Sequence, residues 1–163
     1  MSSDTITALA DLVGAKLKAR GMMLATAESC TGGWVAQVVT AIAGSSDWFD
    51  RGFVTYSDAA KREMLGVSAG ALATHGAVSE QTAREMAAGA LAHSRAQVAL
   101  AITGIAGPSG GSPQKPVGTV CFAWSLKDAA PMAQTRLFEG DRESVRRQSV
   151  MFALQTLLEL LEG

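Results

Sequence analysis

The run Thr26-Ala27-Glu28-Ser29-Cys30-Thr31-Gly32-Gly33 holds a hydroxyl, a thiol and two glycines side by side. Ser29 and Cys30 are both nucleophile types for acyl transfer. The run follows the apolar segment Met22 to Ala25, which reads as a buried strand. It precedes Trp34 to Ala43, which reads as a helix. A strand-to-helix turn carries unpaired N–H groups and the positive end of a helix dipole. Cys30, Thr31, Gly32 and Gly33 are thus placed to hold an anion or an oxyanion. The competing reading is an ordinary N-cap by Ser29 or Thr31, eased by the glycines.

Two further segments could supply partners. The loop Thr103-Gly104-Ile105-Ala106-Gly107-Pro108-Ser109-Gly110-Gly111-Ser112-Pro113 follows a buried strand. Its glycines permit close backbone approach to a ligand. It is neither a Walker A loop nor a dinucleotide fingerprint, because the required lysine and the G-x-G start are missing. Lys61 falls in the first turn of a helix just past another strand end. A cation there is disfavoured by the helix dipole, which lowers its pKa and suits it to act as a base. A solvated surface charge is the alternative. The chain has two histidines: His75 in a short loop and His93 at a helix C-terminus, where a cation is simply favourable. Both read as structural. No His/Cys/Asp cluster has metal-ligand spacing, so neither a metal nor another cofactor is expected.

The elements that must position these residues follow from periodicity. Ile6, Leu9, Val13 and Leu17 form a helical stripe, with Asp4 as cap and Gly21 as stop. Strands are predicted at 22–27, 52–56, 98–102, 117–126 and 132–138. Helices are predicted at 31–43, from Ser57 or Asp58 to Leu65, over 68–74 and from Ser79. A last helix from Asp141 carries Val150, Ala153, Leu154, Leu157 and Leu161. Strands separated by helices imply a mostly parallel sheet covered on both faces. The hairpin through Lys127–Pro131 makes it mixed. Ligands bind beyond the C-terminal strand ends of such sheets. The loops at Glu28–Gly33, Tyr56–Lys61 and Thr103–Gly111 all belong there.

Bulk properties narrow the class. The 163 residues are enough for one domain, taken as 1–163. The net charge is −1 with scattered Lys and Arg, which argues against nucleic acid as a partner. No apolar run approaches the roughly 20 residues of a membrane span. Met1 to Thr5 lack a basic region, so no signal peptide is expected. Cys30 and Cys121 read as free thiols of a reduced cytoplasmic protein.

Several motifs occur together: Glu28-Ser29-Cys30-Thr31-Gly32-Gly33, Tyr56-Ser57-Asp58-Ala59-Ala60-Lys61 with Leu65-Gly66-Val67, Gly76-Ala77-Val78-Ser79, Ala101-Ile102-Thr103-Gly104-Ile105-Ala106-Gly107-Pro108, and Gly140-Asp141-Arg142. In this order they resemble the C-terminal domain of the CinA proteins, and most closely the stand-alone nicotinamide-nucleotide amidases of the PncC type. The resemblance runs from about Leu9 to Leu158. It implies a three-layer α/β/α sandwich with a mixed sheet of about five strands. It also implies hydrolysis of nicotinamide mononucleotide to nicotinic acid mononucleotide and ammonia. Ser29 then resembles the nucleophile and Lys61 its base, with Tyr56 beside them. Thr103, Gly104 and the loop through Gly107, Gly110 and Gly111 would line the nucleotide pocket. Arg142 would meet the phosphate, and a homodimer or higher homo-oligomer is expected. Arg146 and Arg147 read as a solvated helix face.

The chemistry is coherent from the residues alone. A neutral lysine can take the serine proton and pass it to ammonia, while turn amides stabilise the oxyanion. Two other classes compete: a non-catalytic nucleotide-sensing module, and a phosphoryl-transfer enzyme using the glycine loop. Retention of both Ser29 and Lys61 disfavours the first, and the missing Walker lysine and acidic metal pair disfavour the second.

Overall fold

Alternation along the strands builds the core. In β1 (Leu24–Glu28), β3 (Val98–Gly104) and β4 (Thr119–Leu126), large and small side chains take turns. Successive strand residues face opposite sides of a sheet. Leu24, Leu100, Ile102, Val120, Phe122 and Trp124 therefore share one face, and Ala25, Ala27, Ala99, Ala101, Cys121 and Ala123 share the other. The large face packs against α1 (Ser3–Ala19), α2 (Trp34–Thr40) and α6 (Arg142–Glu162). The alanine face packs against α5 (Glu80–Ala92) and the end of α3 (Asp58–Leu65). The short α4 (Ala69–His75) lies beside α5. The result is a three-layer α/β/α sandwich.

This computed structural model describes residues 3–163. The side chain of Asp4, expected to cap the first helix, lies outside the described residues. The expected stripes of α1 and α6 are buried. Side-chain caps explain the starts of α3, α5 and α6. Ser57 accepts from the Ala60 N–H at 3.0 Å, Ser79 from Thr82 at 3.1 Å, and Asp141 from Ser144 at 2.9 Å. Gly66, in the left-handed region, ends α3 as read from the sequence.

The five strands lie in the order β2-β1-β3-β4-β5, with β2 at Phe49–Val54 and β5 at Met132–Leu137. β1 pairs parallel with β2 and β3, whereas β3–β4 and β4–β5 are antiparallel. Parallel and antiparallel pairings are thus equal in number, a correction to the mostly parallel sheet inferred from the sequence. The late hairpin contributes two ladders instead of one, because β4 joins β3 as well as β5. The strand directions also gather the loops. β1, β2, β3 and β5 all point the same way, so the segments after them emerge at one end of the sheet.

Several boundaries differ from the sequence reading. β2 ends at Val54, so Tyr56 lies beyond the strand. α2 begins at Trp34, the later of the two starts read from the sequence, and ends at Thr40. Gly32 and Gly33 have φ of 60° and 102°, a region glycine enters without strain, so residues 29–33 form a tight turn first. The Gly32 N–H closes that turn on the Ser29 carbonyl at 3.0 Å.

Candidate active site

The alternation of β1 continues through its last residues and separates two functional groups. Glu28 points to the large-residue face, toward α2, and Ser29 to the alanine face, toward α3. Glu28 is only 1% exposed. Its carboxylate accepts from the Val35 N–H at 2.9 Å, the Ala36 N–H at 3.1 Å and the Thr31 hydroxyl at 2.6 Å. An internal carboxylate therefore occupies the positive end of α2. Neither Ser29 nor Thr31 caps the helix, since the cap position is Gly33 with no side-chain bond.

Ser29 meets Lys61. The Lys61 side chain runs from the first turn of α3 beneath the end of β2 and is 1% exposed. Its Nζ lies 3.1 Å from Ser29 Oγ, 3.1 Å from the Thr55 carbonyl and 3.4 Å from the Tyr56 carbonyl. Burial holds the ammonium below the usual lysine range, and Asp58 pulls weakly the other way. A neutral amine has two N–H groups and one lone pair. The two carbonyls can take the N–H groups and the Ser29 hydroxyl can donate to the lone pair. Cys30 differs: burial pushes its thiol up to about 12, so the sulfur stays protonated at neutral pH.

Both groups open into a cavity of about 330 Å³ at the strand ends. Small-molecule pockets run from about 300 to 1,000 Å³, so this one suits a compact ligand. Its walls include Ser29, Cys30, Tyr56, Lys61, Thr103, Gly104, Gly107, Gly110, Gly111 and Arg142, so all three candidate loops converge. Arg142 is held over the cavity, donating to the Gly107 carbonyl at 2.7 Å and the Tyr56 hydroxyl at 3.2 Å. Tyr56 itself is 64% exposed, at the rim. The Thr103 hydroxyl donates to the Ala77 carbonyl at 2.9 Å and ties β3 to the α4–α5 junction.

Thr31, Gly32 and Gly33 do not line the cavity, which corrects the expectation that the whole turn faces the ligand. The reason is Glu28, which draws Thr31 and the start of α2 to the opposite side of the sheet. The histidines lie elsewhere. His93 Nδ1 sits 2.8 Å from the Gly89 carbonyl in its own helix end, and the His75 carbonyl accepts from Lys115.

Sequence reasoning missed three residues. Glu28 reads from the sequence only as part of the turn, although strand parity places it opposite Ser29. Asp58 lines the cavity, where Ser57 and not Asp58 is the cap of α3. Arg146 was read as solvated, yet its Nε donates to the Cys30 carbonyl at 2.9 Å and its Nη2 to the Thr31 carbonyl at 3.2 Å. Its position four residues after Arg142 puts both on one helix face, which is the signal that could have found it.

The fold and cavity together define an α/β protein with a buried serine–lysine contact at the strand ends. The chain belongs to the CinA C-terminal domain family, whose model matches residues 6–161. It is 56% identical over 157 residues to the nicotinamide-nucleotide amidohydrolase PncC of Escherichia coli K12, covering 96% of this chain and 95% of that protein. The protein of the same name from Pseudomonas putida is 48% identical over 157 residues, covering 96% and 98%. Among solved structures, the competence/damage-inducible protein CihA of Agrobacterium tumefaciens superposes with a TM-score of 0.93 at 48% identity, over 98% of this chain and 96% of that one. Among the described residues, no helix is long and apolar enough to cross a membrane.

Proposed function

We propose that this chain hydrolyses the carboxamide of nicotinamide mononucleotide, giving nicotinic acid mononucleotide and ammonia. The observation that carries the reading is the contact of 3.1 Å between a buried Lys61 Nζ and Ser29 Oγ inside the cavity. The two relatives named as nicotinamide-nucleotide amidohydrolases support the substrate class.

Ser29 Oγ attacks the amide carbon while neutral Lys61 takes the hydroxyl proton. The negative charge on the carbonyl oxygen needs donors. Gly32 N–H is committed to the Ser29 carbonyl, whereas among the described residues no backbone acceptor takes the N–H of the cavity-lining Cys30, which is left for this task. Collapse of the tetrahedral species breaks the C–N bond, and Lys61 returns its proton to the departing nitrogen as ammonia. A water molecule then attacks the acyl-serine ester with Lys61 again as base. The carboxylate leaves and Ser29 recovers its proton. Arg142, pre-oriented by Gly107 and Tyr56, pairs with the substrate phosphate.

Incubation with nicotinamide mononucleotide should release ammonia in amounts equal to the nucleotide consumed. Ser29→Ala should abolish release while keeping substrate binding and melting temperature close to those of the wild type. Near-normal turnover by the alanine variant would remove Ser29 from the mechanism.

A further inference from the structure

The amidase reading assigns no work to Arg146, and this inference rests on that reading for its kinetic arm. Arg146 projects from the second turn of α6 across to the turn that follows β1. Both of its hydrogen bonds end on main-chain carbonyls of the two residues after Ser29. Its guanidinium carbon also lies 5.4 Å from the centroid of the Trp34 ring, the first residue of α2. Among the described residues no carboxylate pairs with it, whereas the neighbouring Arg147 pairs with Glu143 at 3.0 Å. A half-buried cation without a counter-ion, spending its donors on two adjacent carbonyls, acts on backbone geometry. Arginine suits this task because its planar fork presents fixed donors to two acceptors at once.

We propose that Arg146 is a positioning residue, which sets the peptide planes of the nucleophile turn for attack by Ser29. The Cys30 carbonyl and the Thr31 N–H belong to one trans peptide unit and point in opposite directions. Holding the carbonyl toward α6 therefore aims the Thr31 N–H away from it. Glu28 anchors the same turn from the side of α2 through the Thr31 hydroxyl. The turn is gripped by a carboxylate at one point and a guanidinium at two. The charge of Arg146 also reaches the cavity wall, since it acts against the burial that raises the Cys30 thiol.

The test is Arg146→Ala, with Arg146→Lys and Arg147→Ala beside it, assayed on nicotinamide mononucleotide. Misplacing a reacting group by an ångström lowers rates by about 100-fold, and Arg146→Ala should lose kcat on that scale. Its KM should stay near the wild-type value, because Arg146 does not line the cavity. Arg146→Lys should recover only part of the rate, since an ammonium cannot reproduce the fork. Arg147→Ala should keep the wild-type kcat although it also removes a cation from Trp34. Millimolar guanidinium should restore part of the Arg146→Ala rate, which a merely destabilised fold would not show. Retained kcat, or a loss confined to KM, overturns the proposal. So does a kcat loss that guanidinium leaves untouched. If the wild type releases no ammonia, the amidase reading fails instead, and amide hydrogen exchange decides the positioning role. Faster exchange confined to residues 29–33 in Arg146→Ala supports it, and unchanged exchange there overturns it.

Discussion

Lys61 links catalysis and stability through its protonation state. It is buried beside Ser29, and that burial penalises its charged form. Catalysis as proposed needs the neutral amine, so kcat/KM should rise with pH through an apparent pKa below the free-lysine value of about 10.4. The same shift has a consequence for folding. Between the folded and unfolded pKa values the unfolded chain binds more protons, so Lys61 makes the protein more stable as pH rises through that window. Below it, the buried ammonium is a burden. Lys61→Met should therefore lose turnover while melting no lower at neutral pH than the loss of its hydrogen bonds explains. Lys61→Arg keeps a cation that does not deprotonate, and it should be nearly as inactive as Lys61→Met. A wild-type-like rate in Lys61→Arg would make the lysine a charge holder, with Tyr56 the first alternative base.

The elements matter through how closely they approach. Lys61 is placed by α3, and α3 is placed by α5. At Gly89 the two helices come so near that an added Cβ would collide with the backbone carbonyl of Leu65. Alanine in a helix interior is favoured over glycine by up to about 1 kcal/mol. Overpacking against a backbone atom costs about 1–3 kcal/mol. Gly89→Ala should therefore lower the melting temperature and weaken activity as α3 shifts Lys61 away from Ser29. A melting curve and an ammonia assay on the same sample check both effects, and a more stable, fully active variant would refute the packing argument. The alanine face makes this approach possible, because Ala25, Ala27, Ala99 and Ala101 let α5 sit close to the sheet.

At the scale of the molecule, four of the five strands point to one end, and the turns after them form the cavity. The polar side chains gathered there are the hydroxyls of Ser29, Tyr56, Thr103 and Ser109, an amine, a protonated thiol, a guanidinium and the carboxylate of Asp58. Among the described residues, no three of His, Cys, Asp and Glu come together to grip a metal ion. Turnover should accordingly survive exhaustive chelation. Activity lost with EDTA and restored by a divalent cation would contradict the serine–lysine mechanism.

The sequence by itself determined the elements and their order. Helical stripes, Ser and Asp caps and the hairpin are local signals, written within a few residues of where they act. Motif resemblance also singled out Ser29 and Lys61, which lie 32 residues apart and meet only in the fold. Tertiary structure decided what no local pattern encodes. The balance of the sheet depended on β4 pairing with β3 across the glycine-rich loop of residues 105–118, a choice that no local pattern in either strand makes. The orientation of the turn after β1 depended on Glu28 and Arg146, which grip it from opposite elements. The turn reads as an open anion site from its own residues, because its positive helix end is visible there. Its counter-charge is a carboxylate whose direction is set by strand parity, and its second anchor comes from a helix more than a hundred residues later.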